Sequence, residues 1–325
     1  MRAYSIPSPQ EPGSLCDLPR PAAGAGEVLV RIHACGLNFA DLLMMKGQYQ
    51  DTPDFPLIPG MELAGTIEDA GAGTALAVGT RVAVFSGHGG LAGYGVFPET
   101  RCVVLRDSMS FEQAAGFQIA YGTSHVALDH KARLQPGETL LVLGASGGVG
   151  LTAVEIGKHM GARVIACARG SGKLDIARAA GADHVIDSET ADLRAEVLAL
   201  GGADVVYDPV GGEQFRAALR ACNPEARMLV IGFASGEVPK IPANHLLVKN
   251  ISVLGMYWGG YLSFAPQILT DSLETLFDWH ARGLLSPHIS HILPLEQAAD
   301  AFDLLRQRKS TGKVVVSIKG SNKHR

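Results

Sequence analysis

The chain has 325 residues, of which 47% are apolar and 18% charged, and its formal net charge at pH 7 is −4. This composition excludes a disordered chain and is typical of a globular protein large enough for two domains. The acidic balance excludes the basic surface by which proteins hold nucleic acids, so we expect no nucleic acid partner.

The cysteines are five in number and scattered, which indicates reduced thiols rather than a disulfide framework. The first ten residues, MRAYSIPSPQ, lack the apolar segment of a signal peptide. No apolar run is long enough to span a bilayer. We therefore expect a cytoplasmic protein with no membrane partner.

The first third of the chain consists of short apolar runs separated by glycine and proline. This spacing predicts a partly open β-barrel. Its strand candidates are Glu27–Cys35, Leu63–Asp69, Arg81–Phe85 and Cys102–Leu105.

From about Tyr121 the pattern changes to strands that alternate with helices. Six strands joined by helical crossovers predict an α/β domain with a doubly wound parallel sheet. The strand candidates are Thr139–Leu143, Arg163–Ala168, His184–Ile186, Asp204–Asp208, Met228–Ile231 and Ser252–Leu254.

After Trp258 the sequence predicts two helices, Pro266–Arg282 and Leu295–Arg308, and a last strand, Lys313–Ile318. The sheet needs no seventh crossover, so this tail is expected to return to the first domain. The predicted domains are therefore a catalytic domain of residues 1–118 and 259–325 and a nucleotide-binding domain of residues 119–258.

A glycine-rich turn follows the first of the six strands. Gly147 and Gly150 occupy the second and third positions of a dinucleotide-binding fingerprint, and Ala145 stands at the first. Gly147 lets the backbone approach a pyrophosphate, while Gly150 lets helix and strand pack closely. The turn residues expected to bind the cofactor are Ala145, Ser146, Gly147, Gly148, Val149 and Gly150. A tight turn without a ligand is the alternative.

The end of the second strand of this unit indicates which dinucleotide binds. An NAD site places Asp or Glu there, whereas this chain has Ala168 and Arg169, with Lys173 just beyond. A guanidinium group can bind a 2′-phosphate through two charge-assisted hydrogen bonds. We therefore expect NADPH, the alternative being that Arg169 and Lys173 are only solvated charges.

Four segments in the same order give the chain a resemblance to the zinc-free quinone oxidoreductase family of the medium-chain dehydrogenase/reductase superfamily. The resemblance covers nearly the whole chain and implies a Rossmann domain with a GroES-like catalytic domain. The segments are GLNFADLLMMKGQY (36–49), FPLIPGMELAGTI (55–67), GFQIAYGTSHVAL (116–128) and LGASGGVG (143–150).

The three zinc ligands of metal-dependent relatives correspond to Asn38, Met61 and Ala115 here. None of these residues is a credible zinc ligand, and Glu62 alone does not hold the ion. We therefore expect no metal. Without a Lewis acid the substrate has to be electron-poor already, as quinones and α,β-unsaturated carbonyls are.

The resemblance implies a catalytic role for two residues. Asn38 takes a ligand-like place and is expected to donate an amide N–H to a substrate oxygen or to the nicotinamide ribose, unless it is only a turn residue. Tyr49 is expected near the substrate, where its phenol can donate a proton or a hydrogen bond, unless it is only a loop aromatic. Leu43 replaces a further family tyrosine, so a two-tyrosine proton relay is not expected.

Further cofactor contacts come from strand ends and from family positions. The nicotinamide is expected beside Tyr121 and Thr123, and the loops after the fourth and fifth strands should border the cofactor. Inter-domain packing is the alternative for the first two residues, a domain-hinge anchor for Trp258 and a surface charge for Arg308. These expected contacts are Asn38, Tyr121, Thr123, Ser188, Pro209, Gly232, Phe233, Met256, Tyr257, Trp258 and Arg308.

These observations predict an NADPH-dependent quinone oxidoreductase, in which hydride passes without a metal from nicotinamide to a quinone in the cleft between the domains. The sequence does not separate this function from an NADPH-dependent enone or enoyl-thioester reductase. A non-enzymatic NADPH-binding protein is a further alternative. Relatives tend to be dimers, so we expect a homodimer and a small-molecule quinone or enone as substrate.

Overall fold

The computed structural model of the chain describes residues 1–9 and 11–318. These residues form two compact units. The first comprises Met1–Ile119 and the chain from Pro287 onward, and the second comprises Ala120–Ser286.

The described residues contain strands and helices that we number in chain order. The strands are β1 (Arg2–Ser5), β2 (Ser14–Asp17), β3 (Glu27–Leu37), β4 (Glu62–Ala70), β5 (Arg81–Phe85), β6 (Tyr94–Pro98), β7 (Cys102–Val104), β8 (Thr139–Leu143), β9 (Arg163–Ala168), β10 (His184–Asp187), β11 (Ala203–Asp208), β12 (Cys222–Val230), β13 (Ser252–Gly255), β14 (Ile289–Pro294) and β15 (Lys313–Ser317). The α-helices are α1 (Phe39–Met44), α2 (Phe111–Ala115), α3 (Gln118–His125), α4 (Gly148–His159), α5 (Ser171–Ala179), α6 (Leu193–Ala199), α7 (Gly212–Ala221), α8 (Ala243–Lys249), α9 (Tyr261–Phe264), α10 (Pro266–Ala281) and α11 (Ala298–Arg306). A π-helix, Val126–Lys131, continues α3, and 3₁₀ turns cover Glu99–Arg101 and Leu295–Gln297.

The first unit is built around β3, the longest strand. Along one edge β3 pairs with β4, and along the other it pairs first with β6 and then with β15, always antiparallel. The register of β3 and β4 shifts between Leu29 and Val30 and again between Ile32 and Ala34. Such bulges bend a strand and let a sheet curl. The resulting order of the seven-stranded sheet is β14-β15-β3-β4-β5-β7, with β6 beside β3, as expected for the GroES-like domain.

The second unit contains a six-stranded parallel sheet in the order β10-β9-β8-β11-β12-β13. The strand order reverses between β8 and β11, which makes this the switch point where open α/β sheets bind ligands beyond the carboxyl ends of their strands. The predicted doubly wound sheet is confirmed.

The burial of these strands explains why they could be predicted from the sequence. Both faces of a parallel sheet are covered by helices, so its strands are continuous apolar runs. All five residues of β8 are buried, as are five of the six residues of β9. Helix side chains such as Phe215 and Ala218 of α7 complete this core.

The second domain boundary differs from the expectation. Residues 259–286, predicted to belong to the catalytic domain, are part of the second unit. The reason is tertiary contact with α3 and α4. The His125 Nδ1 atom lies 2.9 Å from the Ser272 hydroxyl, and the Trp279 ring packs against the rings of His125 and His159. Helix α10 is thereby joined to the second unit.

Among residues 1–9 and 11–318, every helix is too short or too polar to cross a lipid bilayer.

Candidate functional site

The glycine-rich turn connects β8 to α4 at the switch point of the sheet. Gly144 has a positive φ of 58°, which is a conformation suited to glycine. The buried Ala145 then donates its N–H to the Cys167 carbonyl of β9 at 2.9 Å. Gly147 has an extended backbone and precedes the first residue of α4. The backbone N–H groups of the first turn of α4 have no acceptors within the helix, so they are available to a phosphate.

The three glycines at positions 144, 147 and 150 of this turn differ in how strictly the fold requires glycine. A Cβ atom on Gly150 would lie 2.2 Å from the Gly144 carbonyl oxygen, so the packing of turn against helix requires glycine there. A Cβ atom on Gly147 would lie 3.4 Å from the same oxygen, an ordinary contact that the fold alone tolerates. Sequence reasoning missed Gly144, which supplies the left-handed turn one residue before the alanine at the first fingerprint position.

A buried group of hydroxyls holds the start of α4 against α3. The Ser124 hydroxyl donates to the Val149 carbonyl at 2.9 Å and lies 2.8 Å from the Thr152 hydroxyl and 3.0 Å from that of Tyr207. The Thr152 hydroxyl also lies 3.0 Å from the Ala120 carbonyl. These residues were not expected from the sequence, because their spacing matches no motif and only the fold brings them together.

The residues expected at the adenosine end lie together at the carboxyl ends of β9 and β10. Arg169 is exposed and follows β9 directly, and Lys173 lies in the first turn of α5. Ser188 follows β10, and its N–H donates to the Ala168 carbonyl at 2.9 Å. One acid, Asp187, also ends β10.

The Asp187 carboxylate is engaged by the backbone. It accepts from the N–H groups of Glu189 at 3.0 Å and Gly170 at 3.2 Å. These hydrogen bonds hold the pKa of Asp187 below its ordinary value. Asp187 therefore stabilises the local backbone. The positive charge of the exposed Arg169 lies at the same edge of the sheet.

The loops after β11 and β12 contact each other at the same edge of the sheet. The Ala234 N–H donates to the Pro209 carbonyl at 3.0 Å, which places Gly232 and Phe233 beside Pro209. Asp208 ends β11, and one of its carboxylate oxygens accepts from the N–H groups of Val210 at 2.7 Å and Gly211 at 2.9 Å.

Burial raises the pKa of Asp208 to about 6, although those two hydrogen bonds act in the opposite direction. The residue is only 1% exposed. The acid fixes the loop and is not aimed at solvent.

The residues after β13 lie against α3. Met256 and Trp258 are buried and Tyr257 is partly exposed. A Cβ atom on Gly122 would lie 2.7 Å from the Trp258 indole nitrogen, so glycine at this position lets the indole lie directly on the helix. Trp258 therefore packs within the second unit.

Two other residues of α3 have definite environments. Thr123 is buried, at 7% exposure. The Tyr121 hydroxyl donates to the Glu155 carboxylate at 2.6 Å, and that carboxylate also accepts from the Ser286 N–H. Burial, with the carboxylate beside it, raises the pKa of Tyr121. Burial raises the pKa of Glu155 as well.

In the first unit, Asn38 lies in a buried polar cluster with Glu62 and Lys313. The Lys313 ammonium group lies 2.7 Å from Asn38 Oδ1 and 2.8 Å from Glu62 Oε1. The Asn38 amide nitrogen donates to Glu62 Oε1 at 3.0 Å and to the Gly36 carbonyl at 3.4 Å. Both amide N–H groups are thus engaged within the protein, which leaves no N–H for the donor role expected from the sequence.

Asp41 supports this region through the backbone. Its carboxylate accepts from the N–H groups of Asn38 at 2.8 Å and Gly60 at 2.9 Å, so it caps the start of α1. Burial raises the pKa of Asp41 to about 6. Both of its carboxylate oxygens accept hydrogen bonds from the backbone, so Asp41 stabilises the local fold.

Tyr49 and Arg308 also belong to the first unit. Tyr49 is half-buried in the loop after α1, where its backbone N–H and carbonyl both pair with the Thr52 hydroxyl. Arg308 is exposed and follows α11 with a left-handed backbone, φ 55°. The other expected contacts at the adenosine end belong to the second unit.

Comparison with known proteins gives the family. Residues 24–107 match the family model of the alcohol dehydrogenase GroES-like domain, and residues 148–276 match that of the zinc-binding dehydrogenase. Quinone oxidoreductase-like protein 2 homolog of Nematostella vectensis is 41% identical over 303 residues, which cover 91% of this chain and 83% of that protein. The chain belongs to the zinc-free quinone oxidoreductase family of the medium-chain dehydrogenase/reductase superfamily. It is an oxidoreductase of this superfamily.

Solved structures of this family resemble the whole chain. The quinone oxidoreductase of Thermus thermophilus, solved also in complex with NADPH, is 33% identical, with a TM-score of 0.87 and coverage of 98% of this chain and 100% of its own. The Escherichia coli quinone oxidoreductase, solved in complex with NADPH, is 26% identical, with a TM-score of 0.89 and the same coverage.

The description of one matched family model includes zinc, but the side chains of this chain do not fit that ion. Asn38, Met61 and Ala115 stand at the ligand positions and offer no thiolate, imidazole or carboxylate. Both oxygens of Glu62 are engaged, one by Lys313 and Asn38 and the other by the Ile119 N–H at 3.0 Å. Within the ranges 1–9 and 11–318, no group of three His, Cys, Asp or Glu side chains is placed to hold a metal.

Proposed function

We propose that this protein is an NADPH-dependent quinone oxidoreductase that works without zinc. The observation that carries the proposal is the cluster of Asn38, Glu62 and Lys313, in which Asn38 stands at one of the positions that the resemblance matches to a zinc ligand of metal-dependent relatives. These side chains provide no Lewis acid, so the site suits an acceptor that is electron-poor already. Quinones meet that requirement.

The cofactor of this proposal is NADPH, which supplies a hydride from C4 of its nicotinamide when it is bound. The glycine-rich turn is suited to the pyrophosphate, because Gly147 leaves space beside the free N–H groups of α4. Arg169 is suited to the 2′-phosphate, since β9 ends without an acid. The NADPH complexes of similar structures support the same assignment.

The reaction balances with one proton. The quinone accepts the hydride and a proton and leaves as the hydroquinone, while the cofactor leaves as NADP⁺. We assign the proton to the Tyr49 phenol or to water. The protein's contribution is orientation of the two reactants, which can lower the barrier of such a reaction by about 7–11 kcal/mol.

Loss of NADPH absorbance tests this function directly. We expect turnover with small benzoquinones and naphthoquinones and slower turnover with an enone or crotonyl thioester at the same concentration. Turnover of the thioester without turnover of any quinone would assign the enoyl reductase function instead. NADPH binding without turnover of any acceptor would indicate a non-enzymatic role.

Tyr49→Phe tests the assignment of the proton. If the phenol is the donor, kcat should fall about 10²-fold or more with little change in KM. Tyr94→Phe, a half-exposed tyrosine of β6 in the same unit, is the matched control. An unchanged kcat for Tyr49→Phe would assign the proton to water.

We also propose a homodimer that pairs through β13. This strand is an outer strand of the six-stranded sheet, and within the described residues it pairs only with β12. An open strand edge readily pairs with a second chain. Leu247 and Val248 of the preceding helix are each 79% exposed and add apolar surface that a partner chain could cover. Light scattering with and without Val253→Pro tests the assignment.

A further inference from the structure

The Lys313 side chain is buried and uses every N–H it has. Its ammonium group lies 2.8 Å from the Leu37 carbonyl, 2.7 Å from Asn38 Oδ1 and 2.8 Å from Glu62 Oε1. An ammonium group has three donors and no acceptor, so three acceptors satisfy it fully. Lys313 therefore has no N–H left for a ligand and can act on one only through its neighbours.

Glu62 is equally committed. Its side chain is fully buried. One oxygen accepts from Lys313 and from the Asn38 amide nitrogen at 3.0 Å, and the other accepts from the Ile119 N–H at 3.0 Å. The pair carries one positive and one negative charge, so it adds no net charge to the site.

These two charges fix which way the Asn38 carboxamide faces. A flipped amide would place its NH₂ group against the Lys313 ammonium and its oxygen against the Glu62 carboxylate, and both contacts would be repulsive. In the observed orientation the two N–H groups face Glu62 and the Gly36 carbonyl. Asn38 is half-buried, and its remaining capacity is the second lone pair of Oδ1.

We propose that Lys313 and Glu62 are positioning residues that lock Asn38 as a hydrogen-bond acceptor for the ligand. The group that Asn38 recognises then carries an O–H or N–H donor, such as a hydroxyl of the cofactor or of the reduced product. A bare quinone carbonyl does not meet this requirement. The inference rests on the proposed function in one respect: that function determines which of these ligands supplies the donor.

A double variant separates positioning from folding. Lys313→Met alone leaves Glu62 as an unpaired buried anion and should be strongly destabilised. Glu62→Gln with Lys313→Met removes both charges, and replacing such a pair by neutral groups often leaves stability unchanged. The double variant should melt close to the wild type while its Asn38 amide is free to rotate. Lys309→Met, at an exposed lysine near the same strand, is the matched control.

Three measurements on these proteins decide the proposal. We expect the double variant to bind or turn over its ligand about 10- to 100-fold less well, as is common when a residue that orients a ligating group is removed. The loss appears in the dissociation constant of NADPH if the cofactor supplies the donor. It appears in kcat/KM for the quinone, with unchanged NADPH affinity and weaker hydroquinone inhibition, if the reduced product does. A stable double variant with wild-type affinity, inhibition and kinetics would overturn the proposal.

Side-chain amide exchange tests the orientation in the wild type and needs no activity. The chain has five asparagines. Selective ¹⁵N labelling therefore gives few signals, and Asn38→Leu assigns the relevant pair. Both Asn38 amide protons should exchange at least tenfold more slowly than those of the exposed Asn244, with and without NADPH. Rapid exchange of either proton would refute the lock even if no quinone is turned over, and slow exchange without quinone turnover would refute only the proposed function.

Discussion

Gly150→Ala should destabilise the nucleotide-binding unit through a clash between backbone atoms. The new Cβ atom would lie 2.2 Å from the Gly144 carbonyl oxygen and 2.8 Å from its carbonyl carbon. Ordinary contact begins at 3.4 Å, so the turn would have to move by about 1.2 Å from the helix. Overpacking of a core typically costs about 1–3 kcal/mol. Because backbone atoms are met here, we expect the upper end, about 3 kcal/mol.

This cost is a large fraction of the stability of a natural domain, which is roughly 5–15 kcal/mol. In a unit of this size each kcal/mol shifts the melting temperature by about 2–4 °C. We therefore expect Gly150→Ala to melt about 6–12 °C below the wild type. Its affinity for NADPH should fall as well, since the displaced turn carries the N–H groups that face the phosphate.

Gly147→Ala is the informative contrast in the same turn. Its Cβ atom would make only an ordinary 3.4 Å contact, and φ at this residue is −79°, which alanine adopts readily. We expect a melting temperature within about 2 °C of the wild type. We also expect at least tenfold weaker NADPH binding, because the added methyl takes the space of the pyrophosphate. Gly172→Ala, whose Cβ atom would meet nothing within 4 Å, is the control for both.

Differential scanning fluorimetry and NADPH fluorescence titration measure the two effects separately. Gly150→Ala at the wild-type melting temperature would refute the packing argument. Gly147→Ala with unchanged NADPH affinity would refute the assignment of this turn to the pyrophosphate.

Two further predictions concern charge. Arg169→Gln should weaken NADPH binding about 10- to 100-fold, because a charge-assisted hydrogen bond contributes about 1.5–3 kcal/mol. It should leave NADH binding unchanged. Equal changes for both cofactors, or the same loss in the exposed control Arg178→Gln, would contradict this prediction. Asp208 has a folded pKa of about 6, above its ordinary value, so it binds its proton more tightly in the folded state. Its contribution to stability should therefore fall by about 3 kcal/mol as pH rises from about 4 to about 6. Asp208→Asn keeps the one oxygen that accepts from the backbone but should lose this pH dependence. Urea unfolding of both proteins between about pH 4 and about pH 6 measures the effect. If the free energies of unfolding of wild type and variant change with pH in parallel, Asp208 is not the titrating group.

The parallel sheet could be predicted because burial on both faces leaves a direct signal in the sequence. The bounds of β8 and β9 agree with the predicted strands residue for residue. Strand β12 begins at Cys222, six residues before the predicted start. Its early part contains Pro224 and Glu225, and the latter has a positive φ of 64°, so the sequence there is typical of a turn.

The domain boundary could not be predicted, because it depends on a contact between distant helices. The amphipathic pattern of α10 shows that it packs on something, but the same pattern fits either unit. The pairing of Ser272 with His125, 147 residues earlier in the chain, decides the matter. Tertiary contacts of this kind leave no local signal.

The candidate site divides along the same line. The glycine turn is local, so its residues were identified from spacing alone, apart from Gly144. The cluster around Asn38 joins Glu62 to Lys313 across 251 residues, and no pattern near either residue marks the partner. The sequence proposed Asn38 as a site residue, and the orientation of its amide depends on those distant charges.

The energetics of that cluster argue for orientation rather than stability as its role. Taking an ammonium and a carboxylate out of water costs several kcal/mol per ion, and apolar residues of similar volume are often as stable or more stable in their place. A buried pair at 8% and 0% exposure is therefore a poor way to stabilise a barrel. Apolar residues would, however, leave the Asn38 carboxamide free to present either its oxygen or its nitrogen. Two opposite charges, one on each end of the amide, are the simplest means of choosing between them.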